Sequence, residues 1–168
     1  MTIRNAKPED AARILEIIES AKLSIRALGI DQWQNGYPNL ESIHADIESG
    51  IGRVLEENGV ILAAAAVYIG NEPTYDRIYD GKWLTENSTY GIIHRIAVAP
   101  EGKNRGAASA MMDYCTALSR EAGVSSLRCD THSGNVIMRH TLEKNGYHHC
   151  GTIYLADGSA RVGYEKIL

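Results

Sequence analysis

Apolar residues along this chain recur at two spacings, one helical and one extended. Ile14, Leu15, Ile17, Ile18 and Ala21 fall on one face of a helix. Pro8-Glu9-Asp10 just before them is a helix start, because proline lacks an N–H that would be unpaired there and two acids suit the positive end of the dipole. Gly29 is a natural stop. Asn39 caps a second helix through about Ser49, and Asn135 caps another that runs to Asn145 and closes at Gly146. Between them, Ala108, Met111, Met112, Cys115 and Leu118 give a helix over 106–122 its inward face, with Gly123 as its end. The extended spacing begins with a short strand at Ile3. Residues 53–57 and 60–69, joined by Asn58-Gly59, predict a hairpin with the tight turn that Asn-Gly favours. Tyr90 to Val98 is apolar on both faces, as a central strand is. Ser126 to Thr131 and two strands around Ala156-Asp157-Gly158-Ser159 complete the set.

The resulting order, β-α-α-β-β-β-α-β-α-β-β, predicts a mixed α/β fold with one twisted sheet covered by helices. At 168 residues the whole chain, 1–168, is read as a single domain. The polar, aromatic stretch 70–89 is long for a plain connection, so it is either functional or partly structured. Seventeen Lys and Arg against twenty-one Asp and Glu give a net charge of −4 with no basic block, which argues against nucleic acid as a partner. The apolar run 60–69 is too short to span a bilayer, and the N-terminus has no apolar signal segment, so the chain reads as cytoplasmic. The odd number of cysteines, Cys115, Cys129 and Cys150, without a CxxC pair, fits no disulfide framework or metal site, and Cys115 reads as a buried structural thiol.

The most informative segment runs from Ile96 to Ser109. A buried strand leads through Pro100-Glu101-Gly102-Lys103-Asn104-Arg105-Gly106-Ala107-Ala108 into a helix. Successive backbone N–H groups at such a helix start bind phosphate oxygens with help from the dipole. Gly106 and Ala108 let a pyrophosphate approach the backbone, Lys103 and Arg105 add charge, and Ser109 adds a hydroxyl. The segment is neither a Walker loop nor a full G-x-G-x-x-G fingerprint. Lys103-Asn104-Arg105-Gly106-Ala107-Ala108 resembles the Q/R-x-x-G-x-G/A motif of the GNAT acetyltransferase superfamily, with Lys in place of Gln or Arg, and Val98-Ala99-Pro100-Glu101 before it fits as well. The resemblance extends along nearly the whole element order. It implies a mixed sheet of about seven strands flanked by about four helices, and acetyl-CoA as cofactor. It also implies that the backbone of Ile96 and Val98 pairs with pantetheine and that Asn135 contacts the cofactor's far end, beside its role as a cap. Backbone N–H groups of Ile96 or Ala97 would polarise the thioester carbonyl.

Acetyl transfer to an amine needs a proton acceptor, because an alkylammonium with a pKa near ~10.4 is rarely nucleophilic at neutral pH. His94 resembles in position a catalytic His of arylalkylamine acetyltransferases and is the first choice for general base; a neutral His bonded to a carbonyl is the equal alternative. Strand alternation puts it on the face of Ile96, and Asp130 on that of His132. Asp130 would hold a substrate ammonium or orient a His, or else pair with Arg95; His132 is an alternative base or a loop-edge His. The pattern Tyr-x-x-x-Gly-Phe, which supplies the acid in many GNAT enzymes, is here Leu142-Glu143-Lys144-Asn145-Gly146-Tyr147. The usual acid is missing; Tyr164, Tyr147 or water would stand in, or transfer would proceed with no acid, by proximity and polarisation alone.

Trp33, Tyr37, Tyr75, Tyr79 and Trp83 lie in the irregular segments that, by the resemblance, flank the acceptor cleft, with Asp31, Asp76 and Asp80 nearby to suit an organic cation. The alternative is that these rings pack a satellite core. Segment 31–38 and Asp130-Thr131-His132 together resemble a group of bacterial GNAT proteins. The expected function is acetyl transfer to the primary amine of a small molecule. A protein N-terminus or lysine as acceptor and an acyl-CoA sensor without turnover are the alternatives, and a homodimer is the expected assembly.

Overall fold

A computed structural model describes residues 1–168. The strands are β1 (Thr2–Asn5), β2 (Gly52–Glu57), β3 (Val60–Gly70), β4 (Tyr90–Val98), β5 (Ser126–Thr131), β6 (His148–Tyr154) and β7 (Ala160–Ile167). The helices are α1 (Ala11–Arg26), α2 (Leu40–Glu48), α3 (Ala107–Glu121) and α4 (Val136–Lys144). Their order matches the one expected from the sequence. Single turns of 3-10 helix at Pro8–Asp10, Pro73–Tyr75 and Pro100–Gly102 each open on a proline, the residue whose missing N–H is harmless there. The strands form one seven-stranded sheet in the order β1-β2-β3-β4-β5-β7-β6. β4 pairs with β5 in parallel through Gly91↔Leu127 and Ile92↔Arg128, while β1/β2, β2/β3, β5/β7 and β6/β7 are antiparallel. No helix is long and apolar enough to cross a membrane.

Packing resolves the chain into two compact units, Met1–Val67 with His94–Tyr114, and Tyr68–Ile93 with Cys115–Leu168. β4 and α3 each run through both. In the first unit, Ile14, Ile17 and Ile18 of α1 join Ile43 of α2, Val54 of β2, Ala64 of β3 and Ala97 of β4 in one buried cluster. The β2–β3 turn holds Asn58 and Gly59 at φ +53° and +78°, the two left-handed residues that a tight hairpin needs. Asn39 caps α2 by accepting from the Ser42 N–H at 2.9 Å.

In the second unit, Tyr75, Tyr90, Ile92 and Ile153 form a separate buried cluster, with Trp83, Ile78 and Tyr68 packed against it. The segment between β3 and β4 is therefore partly structured, and it lies on aromatic bulk. α4 ends with Gly146 at φ +84°, as expected of a left-handed stop. All three cysteines are buried and unbridged. Burial pushes the Cys115 thiol up to about 12 and raises that of Cys129 as well, so neither is a ready nucleophile.

The buried face of α3 is rotated from the expected one. Ala107, Met111, Met112, Cys115, Thr116 and Ser119 are buried, whereas Ala108 and Leu118 are only half-buried. Gly91 of β4 explains the C-terminal half of that difference. A Cβ placed on Gly91 would stand 2.0 Å from Ser119 Oγ and 2.4 Å from Leu127 Cδ2. The helix can turn a small polar residue inward because the strand beneath it has no side chain there. Gly91→Ala should therefore destabilise the fold by about 1–3 kcal/mol through overpacking. Adding Ser119→Ala should restore part of the loss, as read by denaturant midpoints; no recovery would show that Ser119 is not the obstacle.

Candidate active site

β4 passes into α3 through a turn whose backbone is unusual at two positions. After Val98, the Ala99 N–H donates to the Leu62 carbonyl at 2.8 Å, and Gly102 N–H returns to the Ala99 carbonyl at 2.9 Å. Gly102 lies so close to β3 that an added Cβ would be 2.8 Å from the Leu62 oxygen. Asn104 and Gly106 then take left-handed conformations, with φ of +59° and +78°, before Ala107 begins α3. Alternation of hand turns successive N–H groups to one side, and the opening amides of a helix have no partner within it. Nothing lies within 4 Å of a Cβ built on Gly106, so the space above the turn is open. Ala107 is buried, Ala108 and Ser109 are half-buried, and Ile96, Ala97 and Val98 lead into the turn with only Ala97 fully covered. The cations are partly engaged: Lys103 Nζ donates to Ser24 Oγ at 3.1 Å, and Arg105 pairs with Glu57.

Upstream of the turn, Arg95 has φ +52° within β4. A left-handed residue interrupts strict alternation, so the expectation that His94 and Ile96 share a face through simple alternation does not carry over. His94, Arg95 and Ile96 are all half-buried, in place of an in-and-out pattern. Arg95 is held from three points: Nε and Nη2 donate to Asp46 of α2 at 2.7 and 2.6 Å, and Nη1 donates to the Tyr37 hydroxyl at 2.8 Å. Burial works against the charge, but the Asp46 and Tyr37 bonds outweigh it and keep the guanidinium protonated. The ion pair considered for Asp130 and Arg95 is thus replaced by one with Asp46. Tyr37 keeps 44% of its surface exposed while bonded to Arg95, whereas Trp33 packs against the α1–α2 cluster of the first unit.

In the second unit, Asp130 on β5 accepts a 2.6 Å bond from the Tyr75 hydroxyl. Tyr75 is buried, and burial together with the Asp130 charge raises its hydroxyl well above its ordinary value, so it remains a donor. Tyr75 packs against Trp83 with tilted rings, their centroids 5.4 Å apart, and its carbonyl accepts from the Trp83 indole N–H at 2.9 Å. Tyr79 is more exposed and stands edge-on to Tyr154. The five aromatics therefore divide between the two units, with Tyr75 and Trp83 in mutual contact in the second. His132, just past β5, accepts the Gly134 N–H on Nδ1 at 3.0 Å. A neutral ring bonded in this way carries its proton on Nε2 and is a donor there.

Asn135 accepts the Met138 N–H at 3.2 Å, as a cap does. Leu142, at the aligned place of the usual acid, is a fully buried core residue. Tyr164 accepts from Arg139 Nε at 3.0 Å and donates to Glu143 at 3.1 Å. Its hydroxyl is committed to α4, and burial raises it above its ordinary value even against the Arg139 bond.

One cluster was not anticipated from the sequence. Glu165 of β7 is fully buried and accepts from Arg128 Nε at 3.2 Å, from the Leu84 and Thr85 N–H groups at 2.6 and 3.2 Å, and from the Thr85 hydroxyl. Arg128 lies between the Trp83 and Tyr90 rings, 4.5 and 4.1 Å from their centroids. The two residues face one another in the β5–β7 register. Opposite charges in two buried strands were the available signal, but only the register brings them together.

Comparison with known proteins places these features in a family. The profile described as the Acetyltransferase (GNAT) family matches residues 16–147. A GNAT-family acetyltransferase from Streptococcus agalactiae 2603 has a similar structure, with 40% identity, coverage of 99% of this chain and 95% of that one, and a TM-score of 0.85. An acetyltransferase structure from Staphylococcus aureus Mu50 follows at 26% identity, 99% coverage of each chain and a TM-score of 0.74. Among curated proteins, S-alkylcysteine N-acetyltransferase of Bacillus subtilis (strain 168) is 29% identical over 113 residues. That match covers 66% of this chain and 56% of the relative's length. With the profile matching well over half of its length, the chain belongs to the GNAT acetyltransferase family.

Proposed function

We propose that this chain, acting as one domain, transfers the acetyl group of acetyl-CoA to the primary amine of a small molecule. The observation that carries the reading is the turn from Val98 to Ala107, with Asn104 and Gly106 both left-handed and open space above Gly106. Such a turn fits a pyrophosphate, which needs several backbone N–H groups and close approach. The residues that would hold the cofactor are the backbone of Lys103 to Ser109 with the Lys103 ammonium, and the strand backbone at Ile96 and Val98. Acetyl-CoA supplies the acyl group as an activated thioester.

The remaining chemistry belongs to side chains. His94 takes the proton from the acceptor ammonium, directly or through water. Asp130, oriented by the buried Tyr75 hydroxyl, holds that ammonium beforehand. His132, with its proton on Nε2, acts as a donor in place of the alternative base considered from the sequence. The B. subtilis relative, named for acetylating S-alkylcysteines, supports a small amino acid as the acceptor, with its α-amine as the nucleophile. A second reading, an acyl-CoA sensor without turnover, has one observation in its favour: Leu142 is buried and Tyr164 is bonded to α4, so this helix supplies no acid.

Free-thiol release from acetyl-CoA against S-alkylcysteines and other small amines separates the two readings. Amine-dependent release supports the transferase, and tight binding with no release supports the sensor. Gly106→Ala should strain the turn by about 1–2 kcal/mol and raise the acetyl-CoA Kd about tenfold or more by calorimetry. Unchanged affinity would remove the turn from the cofactor site. His94→Gln should lower kcat/KM about 10²-fold or more and flatten the rise of rate with pH, with acetyl-CoA affinity unaltered. A variant that keeps the wild-type pH–rate profile would refute its role as base.

A further inference from the structure

The second unit holds a cavity that none of the residues named for the cofactor lines. This cavity, of about 440 Å³, is lined by the segment between β3 and β4. Its walls include the rings of Tyr75 and Trp83, and Arg128 is among its lining residues. Arg128 is only 4% exposed, and its partners are spent unevenly. Nε serves Glu165, Nη2 serves the Thr85 carbonyl and hydroxyl, and Nη1 has no protein partner. Nor is Nη1 among the sealed, unbonded atoms of the interior, so it meets the open space. A guanidinium clamped between two aromatic rings, with one terminal nitrogen left to a cavity, is a preformed anion point.

We propose that this cavity binds a small amino acid, with its carboxylate on Arg128 Nη1 and its apolar side chain against Trp83. Lys82 and Ser88 at the mouth add donors for the carboxylate, and Asp76 and Glu86, also at the mouth, suit the ammonium. Glu165 engages the Nε edge of the same guanidinium together with the Leu84 and Thr85 donors, and not Nη1. The carboxylate is the discriminating group: its charge-assisted bond to Nη1 is roughly twice as strong as one to the neutral oxygen of an amide. The site stands independently of acetyl transfer, and its test needs no acetyl-CoA.

Trp83 is itself the reporter. The chain has two tryptophans, and Trp33→Phe leaves Trp83 as the sole emitter. In that background, L-leucine should change Trp83 fluorescence saturably with a Kd below about 1 mM, and L-leucinamide should bind about tenfold more weakly or worse. Arg128→Gln should abolish the response, but it also strips Glu165 of its partner. Ser88→Phe, an exposed residue at the mouth, is the companion variant: it should fill the cavity, eliminate the leucine response and leave the Tm unchanged. The proposal is overturned if leucine gives no saturable change up to about 10 mM, if the amide binds as well as the acid, or if folded Ser88→Phe still responds.

Discussion

The carboxylate of Glu165 is the constraint on which much of the second unit turns. A fully buried charge must be neutralised and hydrogen-bonded within the protein, because leaving it unpaired costs several kcal/mol. Its four donors come from β5 and from the irregular segment, so one charge joins two strands and the 71–89 connection. A connection with a single helical turn of its own is thereby anchored by polar bonds as much as by apolar packing. Trp83 then lies over Arg128 and reaches Gly163, where an added Cβ would be 2.8 Å from its ring. The same interaction determines which edge of Arg128 is spent and which faces the cavity.

The first unit carries a comparable device. Arg95 adopts a left-handed conformation that costs a non-glycine residue about 1–2 kcal/mol. Three charge-assisted or polar bonds, to Asp46 and Tyr37, are available to offset it. The bend sits between His94 and Ile96, so residues expected to play catalytic and cofactor-pairing roles flank a backbone irregularity. The two left-handed residues of the next turn extend that departure toward α3. Strain placed beside a candidate base and a candidate anion site is where functional proteins tend to hold it.

Side chains named for proton transfer differ in how their surroundings suit them. Tyr164 donates a hydrogen bond to Glu143 and is accounted for by α4. His132 accepts the Gly134 backbone N–H on Nδ1, so the loop engages one of its two ring nitrogens. Asp130 is oriented by a tyrosine from the long connection, and that tyrosine is also part of the aromatic core. Asp130 is therefore tied to the irregular 71–89 segment through Tyr75.

Local physics made the element order readable from the sequence. Proline and asparagine at helix starts, glycine at helix ends, Asn-Gly in the hairpin and apolar periodicity each act within a few residues. The strand–turn–helix from Val98 to Ser109 was legible for the same reason, since glycine, small residues and a helix start lie together there. Tertiary structure decided the rest. Burial of Ser119 in place of Leu118 depends on a glycine of β4, and the partner of Arg95 sits on α2, not on β5. The Arg128–Glu165 pair exists only in the β5–β7 register. These outcomes depend on which distant side chains meet, and on how a charge is neutralised once water is excluded, and neither is a property of any short stretch of sequence.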